Sequence, residues 1–254
     1  MKKYDTLIFD LDGTLSISKQ PLSKEIAELL GKATNQINIV VITGGMFEQI
    51  KKQVINQMSD DSDLNNLYIL PTSGSSMRKY NPLRDSWDEV YSHKLNDEQK
   101  ERVISSIKEA LEKASFSIDN SELAGPQIED RESQVTFSAL GQKQLPDIKA
   151  TWDPERTKRK ELLSLLEHLE DEFDVKLGGS TSIDVTLKGI DKAFGINEFY
   201  AHTNLDIKNG LFVGDQIIPG GNDFPATKTG IDTLDTTGPE KTINIINSVL
   251  GNIN

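Results

Sequence analysis

Apolar runs that read as strands recur along this chain, each stopped by a polar turn and each followed by apolar residues at helical spacing. Tyr4–Phe9 ends abruptly at Asp10-Leu11-Asp12-Gly13, and Pro21 and Ser23 then introduce Ile26, Leu29 and Leu30. The β-branched run Ile37–Ile42 ends at Thr43-Gly44-Gly45, and Phe47, Ile50, Val54 and Ile55 follow as an amphipathic stripe. Leu67–Leu70 ends at Pro71. Strand–helix alternation of this kind predicts an α/β fold, a doubly wound parallel sheet covered by helices on both faces.

The middle of the chain has a different rhythm. A helix is expected over Asp97–Ala114, then a strand pair at Gln127–Asp130 and Val135–Ser138. A long charged helix over Pro154–Phe173 and strands at Val175–Leu177 and Ser182–Leu187 follow. Strands grouped with few crossovers predict an antiparallel sheet backed by two helices, an inserted α+β domain. After Gly189 the alternation resumes: a helix from Lys192 to His202, a strand at Leu211–Val213, a helix from about Asn222, a strand at Ile231–Leu234 and a last helix at Pro239–Leu250. The expected division is a doubly wound core of residues 1–84 and 188–254, interrupted by a second domain of residues 85–187.

Composition removes several function classes. With 28 basic and 40 acidic residues the formal charge is −12, which disfavours nucleic-acid binding through Lys/Arg–phosphate contacts and docking on an anionic membrane. There is no cysteine, so disulfides, zinc ribbons and thiol nucleophiles are excluded. His93, His168 and His202 have no metal-ligand spacing and read as surface or core histidines. Met1-Lys2-Lys3-Tyr4-Asp5 has no apolar stretch behind its lysines, and Ile39–Ile42 is the longest apolar run. The expectation is a cytoplasmic protein with neither a secretion signal nor a membrane span.

In an open parallel sheet, ligands sit beyond the carboxyl ends of the strands. Three such ends carry acids or hydroxyls: Asp10 to Thr14, Thr43 to Gly45, and Gly214-Asp215 followed by Gly220-Gly221-Asn222-Asp223. Clustered carboxylates repel, so a hard cation such as Mg²⁺ is their expected partner. A calcium loop at Asp10 fails, because its fifth and twelfth positions are Thr14 and Pro21. Taken singly, the first stretch could still be a polar turn, Gly44-Gly45 a weak phosphate cradle, and Gly220–Asp223 a loop and helix cap.

Taken together and in this order, these residues resemble the haloacid dehalogenase superfamily of aspartate-dependent phosphoryl transferases. Asp10-Leu11-Asp12-Gly13-Thr14 is similar to its first motif and Thr43 to its second. Lys192, within Gly189-Ile-Asp-Lys-Ala-Phe-Gly195, is similar to its third, and Gly214-Asp215 with Gly221-Asn222-Asp223 to its fourth. The insert resembles the superfamily's type IIB cap. Gly214–Asp223 resembles a segment of the eukaryotic-type phosphomannomutases and their sucrose-phosphate phosphatase relatives, and Gly178–Val185 and Gln127–Arg131 resemble cap segments of the phosphomannomutases. The mutases carry several cap arginines for a second phosphate. Arg131 matches one, but Gln142 stands where another is usual, and 143–152 has no arginine.

The resemblance implies Asp10 as the nucleophile, Asp12 as the acid and base, and Thr43 with the amides of Leu11 and Asp12 on the phosphoryl oxygens. Lys192 would be a fixed charge beside Asp10, with Lys188 as its rival. Mg²⁺ would be held by Asp10, the Asp12 carbonyl and Asp215, with Asn222 or Asp223 close behind. Gly44, Arg131, Ser182 and Asp184 are the expected substrate contacts; a solvated arginine and a polar strand end are the plainer alternative for the last three. Trp152 is expected to serve packing. The leading expectation is a Mg²⁺-dependent phosphatase of a small, sugar-type phosphomonoester. A hexose-phosphate mutase and a non-catalytic binding module stand as alternatives. A cap-mediated homodimer is implied by the mutase relatives, with a monomer as the other possibility.

Overall fold

A computed structural model describes residues 2–17 and 19–252, which fall into two compact units, Met1–Ser92 with Ile190–Asn254 and His93–Gly189. The first unit begins with strand β1 (Thr6–Phe9), helix α1 (Lys24–Thr34), β2 (Asn38–Ile42), α2 (Phe47–Gln53) and β3 (Leu67–Leu70). It continues with the hairpin β4 (Ser76–Asn81) and β5 (Ser86–Ser92). The second unit holds α3 (Asp97–Lys113), β6 (Ile128–Asp130), β7 (Gln134–Ser138), α4 (Pro146–Trp152), α5 (Thr157–Leu165), β8 (Phe173–Leu177) and β9 (Ser182–Leu187). The chain then returns to the first with α6 (Lys192–Ala201), β10 (Gly210–Gly214), β11 (Asp232–Asp235) and α7 (Pro239–Leu250).

The first unit's sheet runs β11-β10-β1-β2-β3-β4-β5. Strands β11, β10, β1, β2 and β3 are parallel, and the hairpin adds two antiparallel strands at one edge. Every residue of β1 is buried, as a strand covered on both faces requires. Leu7, Phe9, Ile39, Val41 and Val213 point into a core shared with Ile26 and Leu30 of α1 and Ile246 and Val249 of α7. The alternate residues Ile8, Val40, Ile42 and Phe212 meet Ile196 and Phe199 of α6 on the other face. The fold is therefore the expected α/β one, helices on both sides of a mainly parallel sheet. Among the described residues no helix is long and apolar enough to cross a membrane.

The second unit has a four-stranded antiparallel sheet, β6-β7-β9-β8. Val135, Phe137, Ile183 and Val185 bury one face against Val103 and Ile107 of α3 and Leu162 of α5. The two-residue period of a strand then places Gln134, Thr136, Ser138, Ser182, Asp184 and Thr186 on the opposite, polar face.

Three sequence expectations change. The helix over Pro154–Phe173 does not form as one piece: Arg156 is left-handed (φ 61°), α5 spans only Thr157–Leu165, and Phe173 opens β8 fully buried. A left-handed residue cannot continue an α-helix, so α5 starts after it. The helix expected from Asn222 is a 3₁₀ turn at Phe224–Lys228, where Pro225 contributes no backbone donor. The hairpin β4–β5 and helix α4 were not expected at all. Because Ser86–Ser92 pairs with Ser76–Asn81, the chain leaves the first sheet at about residue 92 rather than 84.

Candidate active site

The parallel register gathers the strand ends. Phe9 lies beside Val41 of β2 and Val213 of β10, so Asp10, Thr43 and Asp215 emerge from neighbouring strands on the same sheet edge. The Asp10 amide still donates to Val213 O (3.0 Å), which fixes where its side chain starts.

Asp10, Asp215 and Asp223 each offer a carboxylate oxygen, and the three oxygens lie within 4.8 Å of one another. Lys192, almost completely buried, donates from Nζ to Asp10 Oδ1 (2.5 Å) and to Asp223 Oδ1. Asp223 Oδ2 accepts from the Gln216 amide (2.9 Å), so both oxygens of that carboxylate are engaged. Three carboxylates thus cluster with a single ammonium, which pairs with two of them, an excess of two negative charges. Burial pushes the Asp10 carboxyl up to about 6; the Lys192 charge pulls against this and the Asp223 charge adds to it. Burial alone favours neutral Lys192, but Asp10 and Asp223 outweigh it and hold the ammonium above its ordinary range. An all-oxygen donor set with surplus negative charge fits Mg²⁺, with Asp10, Asp215 and Asp223 as the available carboxylates.

Two close approaches depend on glycine. Gly13 has φ +86°, and a Cβ there would meet Asp215 Oδ2 at 2.6 Å, so the turn after Asp12 must lack a side chain for Asp215 to sit where it does. A Cβ on Gly195 of α6 would meet Gly74 Cα at 2.7 Å and Ser73 O at 2.9 Å. This contact seats α6, whose first residue is Lys192 and whose N-cap Asp191 accepts from the Phe194 amide (3.0 Å). Gly195→Ala is expected to cost about 1–3 kcal/mol, because the obstacle is backbone and cannot rotate away. Urea denaturation measures this.

The remaining expected residues separate into two groups. Asp12 is half-buried and its Oδ1 accepts from the Lys19 amide (2.6 Å); its carboxylate is not one of the three that cluster. Thr43 is buried with Oγ1 accepting from the Gly45 amide (3.3 Å), and Gly44 is exposed in the same turn. Lys188 is exposed, its Nζ donating to Glu170 O (2.7 Å), which leaves Lys192 as the lysine at Asp10. Arg131, Ser182 and Asp184 belong to the second unit. Arg131 Nε donates to Glu129 Oε2 (2.7 Å), and Asp184 Oδ1 accepts from Thr136 Oγ1 (2.8 Å), itself an acceptor from Gln134 Nε2 (2.7 Å). Trp152 lies edge-on to Phe116 in that unit's core. Sequence reasoning missed the Gln216 amide at Asp223; the link is backbone to side chain and leaves no residue-type signature.

The sequence profile of the haloacid dehalogenase-like hydrolases matches residues 7–224. The chain belongs to that family. Among its relatives, phosphomannomutase 2 of Dictyostelium discoideum is 25% identical over 247 residues, 94% of each chain. The phosphomannomutase of Drosophila melanogaster is 26% identical over 229 residues, covering 86% of this chain and 84% of its own. Solved structures share the fold. An IMP-nucleotidase of Plasmodium falciparum superposes with a TM-score of 0.68 at 17% identity, over 98% of this chain and 68% of its own. A haloacid dehalogenase-like hydrolase of Bacteroides thetaiotaomicron gives 0.64 at 14% identity, over 97% and 100%.

Proposed function

We propose that this protein is a Mg²⁺-dependent phosphohydrolase that removes phosphate from a small, sugar-type phosphomonoester through an aspartyl-phosphate on Asp10. The observation that carries the reading is the buried Asp10 carboxylate, oriented by Lys192 and flanked by Asp215 and Asp223 at the carboxyl edge of the sheet. A phosphomonoester resists attack because nucleophile and phosphate are both anionic. When bound, Mg²⁺ supplies the positive charge that lets them meet.

The residues divide the remaining work. An Asp10 oxygen attacks phosphorus while the bond to the leaving oxygen breaks, and Asp12 donates the proton that oxygen needs. Water then attacks the same phosphorus, Asp12 takes a proton from it, and the Asp10–phosphorus bond breaks to release inorganic phosphate. Lys192 holds Asp10 by one oxygen throughout. Thr43 and Gly44, in the turn after β2, are assigned to the phosphoryl oxygens. Arg131, Ser182 and Asp184 are assigned to the rest of the substrate.

A second reading, a hexose-phosphate mutase, is favoured by the names of relatives that match nearly the whole chain. Against it stand Gln142 and the arginine-free run that follows, since a bisphosphate intermediate needs cationic grip on a second phosphate. One experiment separates the two. Phosphate release is measured over a panel of sugar phosphates, with Mg²⁺ or EDTA and with or without a hexose bisphosphate. Hydrolysis predicts release that needs Mg²⁺ and ignores the bisphosphate. Isomerisation that depends on the bisphosphate, with little net release, selects the mutase, and turnover that persists in EDTA removes both.

A further inference from the structure

The loop between β8 and β9, residues 178–181, is tied down at its base. Gly178 N donates to Ser182 O (2.9 Å), Ala139 N donates to Thr181 O (3.0 Å), and Thr181 Oγ1 meets Ser138 Oγ at 3.1 Å. Its tip, Gly179 and Ser180, is exposed and has two residues of small size to restrain it. Arg159 reaches this tip from α5, its Nη1 donating to Gly179 O. The same guanidinium donates from Nε to Asp153 Oδ2 (2.9 Å) and from Nη2 to Asp153 O (3.4 Å). Both residues are buried, at 4% exposure each. Asp153 in turn accepts from the Lys158 and Arg159 amides (3.1 Å each), so it both satisfies two amides in the first turn of α5 and aims the guanidinium.

A buried ion pair that only stapled α5 would need no third contact. Here the remaining nitrogen is directed at a glycine carbonyl in the loop that leads into Ser182 and Asp184. Asp184 depends on that loop's path, because a Cβ on Gly178 would meet its Oδ2 at 2.6 Å. We propose that Arg159, aimed by Asp153, is a positioning residue that sets the course of residues 178–181 and so fixes the chain at Ser182 and Asp184, the residues assigned to the substrate. The substrate half of this rests on the phosphohydrolase reading; the structural half does not. Lysine cannot replace it, because one ammonium cannot span a carboxylate and a carbonyl in a fixed plane as the guanidinium fork does.

The test uses the full chain carrying Arg159→Lys, with Asp153→Asn as a second variant. Backbone hydrogen exchange over 177–183 is compared with the unmodified protein. Mannose 6-phosphate and para-nitrophenyl phosphate turnover are followed with Mg²⁺. Exchange is expected to quicken at 178–181 while the rest of the second unit keeps its protection. KM for mannose 6-phosphate is expected to rise about tenfold with kcat within about threefold, and the aryl phosphate, lacking a sugar to place, to change less than about twofold. Unchanged exchange at 178–181, equal losses on both substrates, or failure of both variants to fold overturns the proposal, the last making the pair a staple of the fold. If the unmodified protein hydrolyses neither phosphate, the substrate half of the proposal falls while exchange still decides the clamp.

Discussion

Asp10→Asn is expected to abolish phosphate release without making the metal-free protein less stable at neutral pH. Loss of the nucleophile leaves no route to the aspartyl-phosphate, so turnover should fall by at least about 10³-fold, as for other residues that act as part of a catalytic unit. Stability moves the other way because of where the charge sits. The Asp10 carboxyl is pushed up to about 6 from an ordinary 3.8, chiefly by burial, with Asp223 adding repulsion and Lys192 opposing both. A carboxyl whose folded value is raised stabilises the fold while protonated, below about pH 4, and that contribution is lost as pH rises through about 6. Asparagine does not titrate, and Lys192 keeps Asp223 as a partner. The variant's stability relative to the unmodified protein should therefore grow between these two pH values and level off above them. Urea denaturation in EDTA at pH 4.5 and pH 7 measures the difference; a gap that shrinks over this window contradicts the burial argument, and retained turnover removes Asp10 from the chemistry.

The parts of this site that could be read in advance share a physical cause. Asp10 and Asp215 each follow a fully buried apolar strand, and an acid placed directly after such a run has to emerge at the sheet edge. Lys192 was distinguishable from Lys188 because its spacing before Phe194 and Ile196 fits a helix start, and the structure adds Asp191 as that helix's N-cap, while Lys188 lies outside it. The hairpin β4–β5 was illegible for the opposite reason. Its strands are half-exposed and held by cross-strand charge, Arg78 to Glu89 for example, so no apolar run marks them. The break before α5 turns on one left-handed residue, Arg156, whose identity says nothing of its φ. The Asp153–Arg159–Gly179 link joins a helix start to a hairpin loop twenty residues on, a tertiary fact with no local pattern.

Lys192→Met should be the most destabilising single change at this site. Methionine fills similar space but removes the only cation in direct contact with Asp10 and Asp223 among the described residues, leaving two buried carboxylates facing each other. Breaking a buried pair in this way costs about 3–5 kcal/mol, far more than the pair itself contributes over an apolar replacement. The penalty belongs to the orphaned charges rather than to the missing contact, and that makes it separable. Asp223→Asn in the Lys192→Met background removes one orphan and should restore part of the loss, whereas Asp223→Asn alone disrupts a carboxylate bonded through both oxygens, to Lys192 and to the Gln216 amide, and should destabilise. The double-mutant cycle, read from urea midpoints in EDTA, should therefore be non-additive by about 1–3 kcal/mol. Strict additivity would mean that Lys192 stabilises by packing alone. The same logic orders the ligands: Mg²⁺ should raise the midpoint of Lys192→Met more than that of the unmodified protein, because there a cation relieves carboxylates that have lost their own.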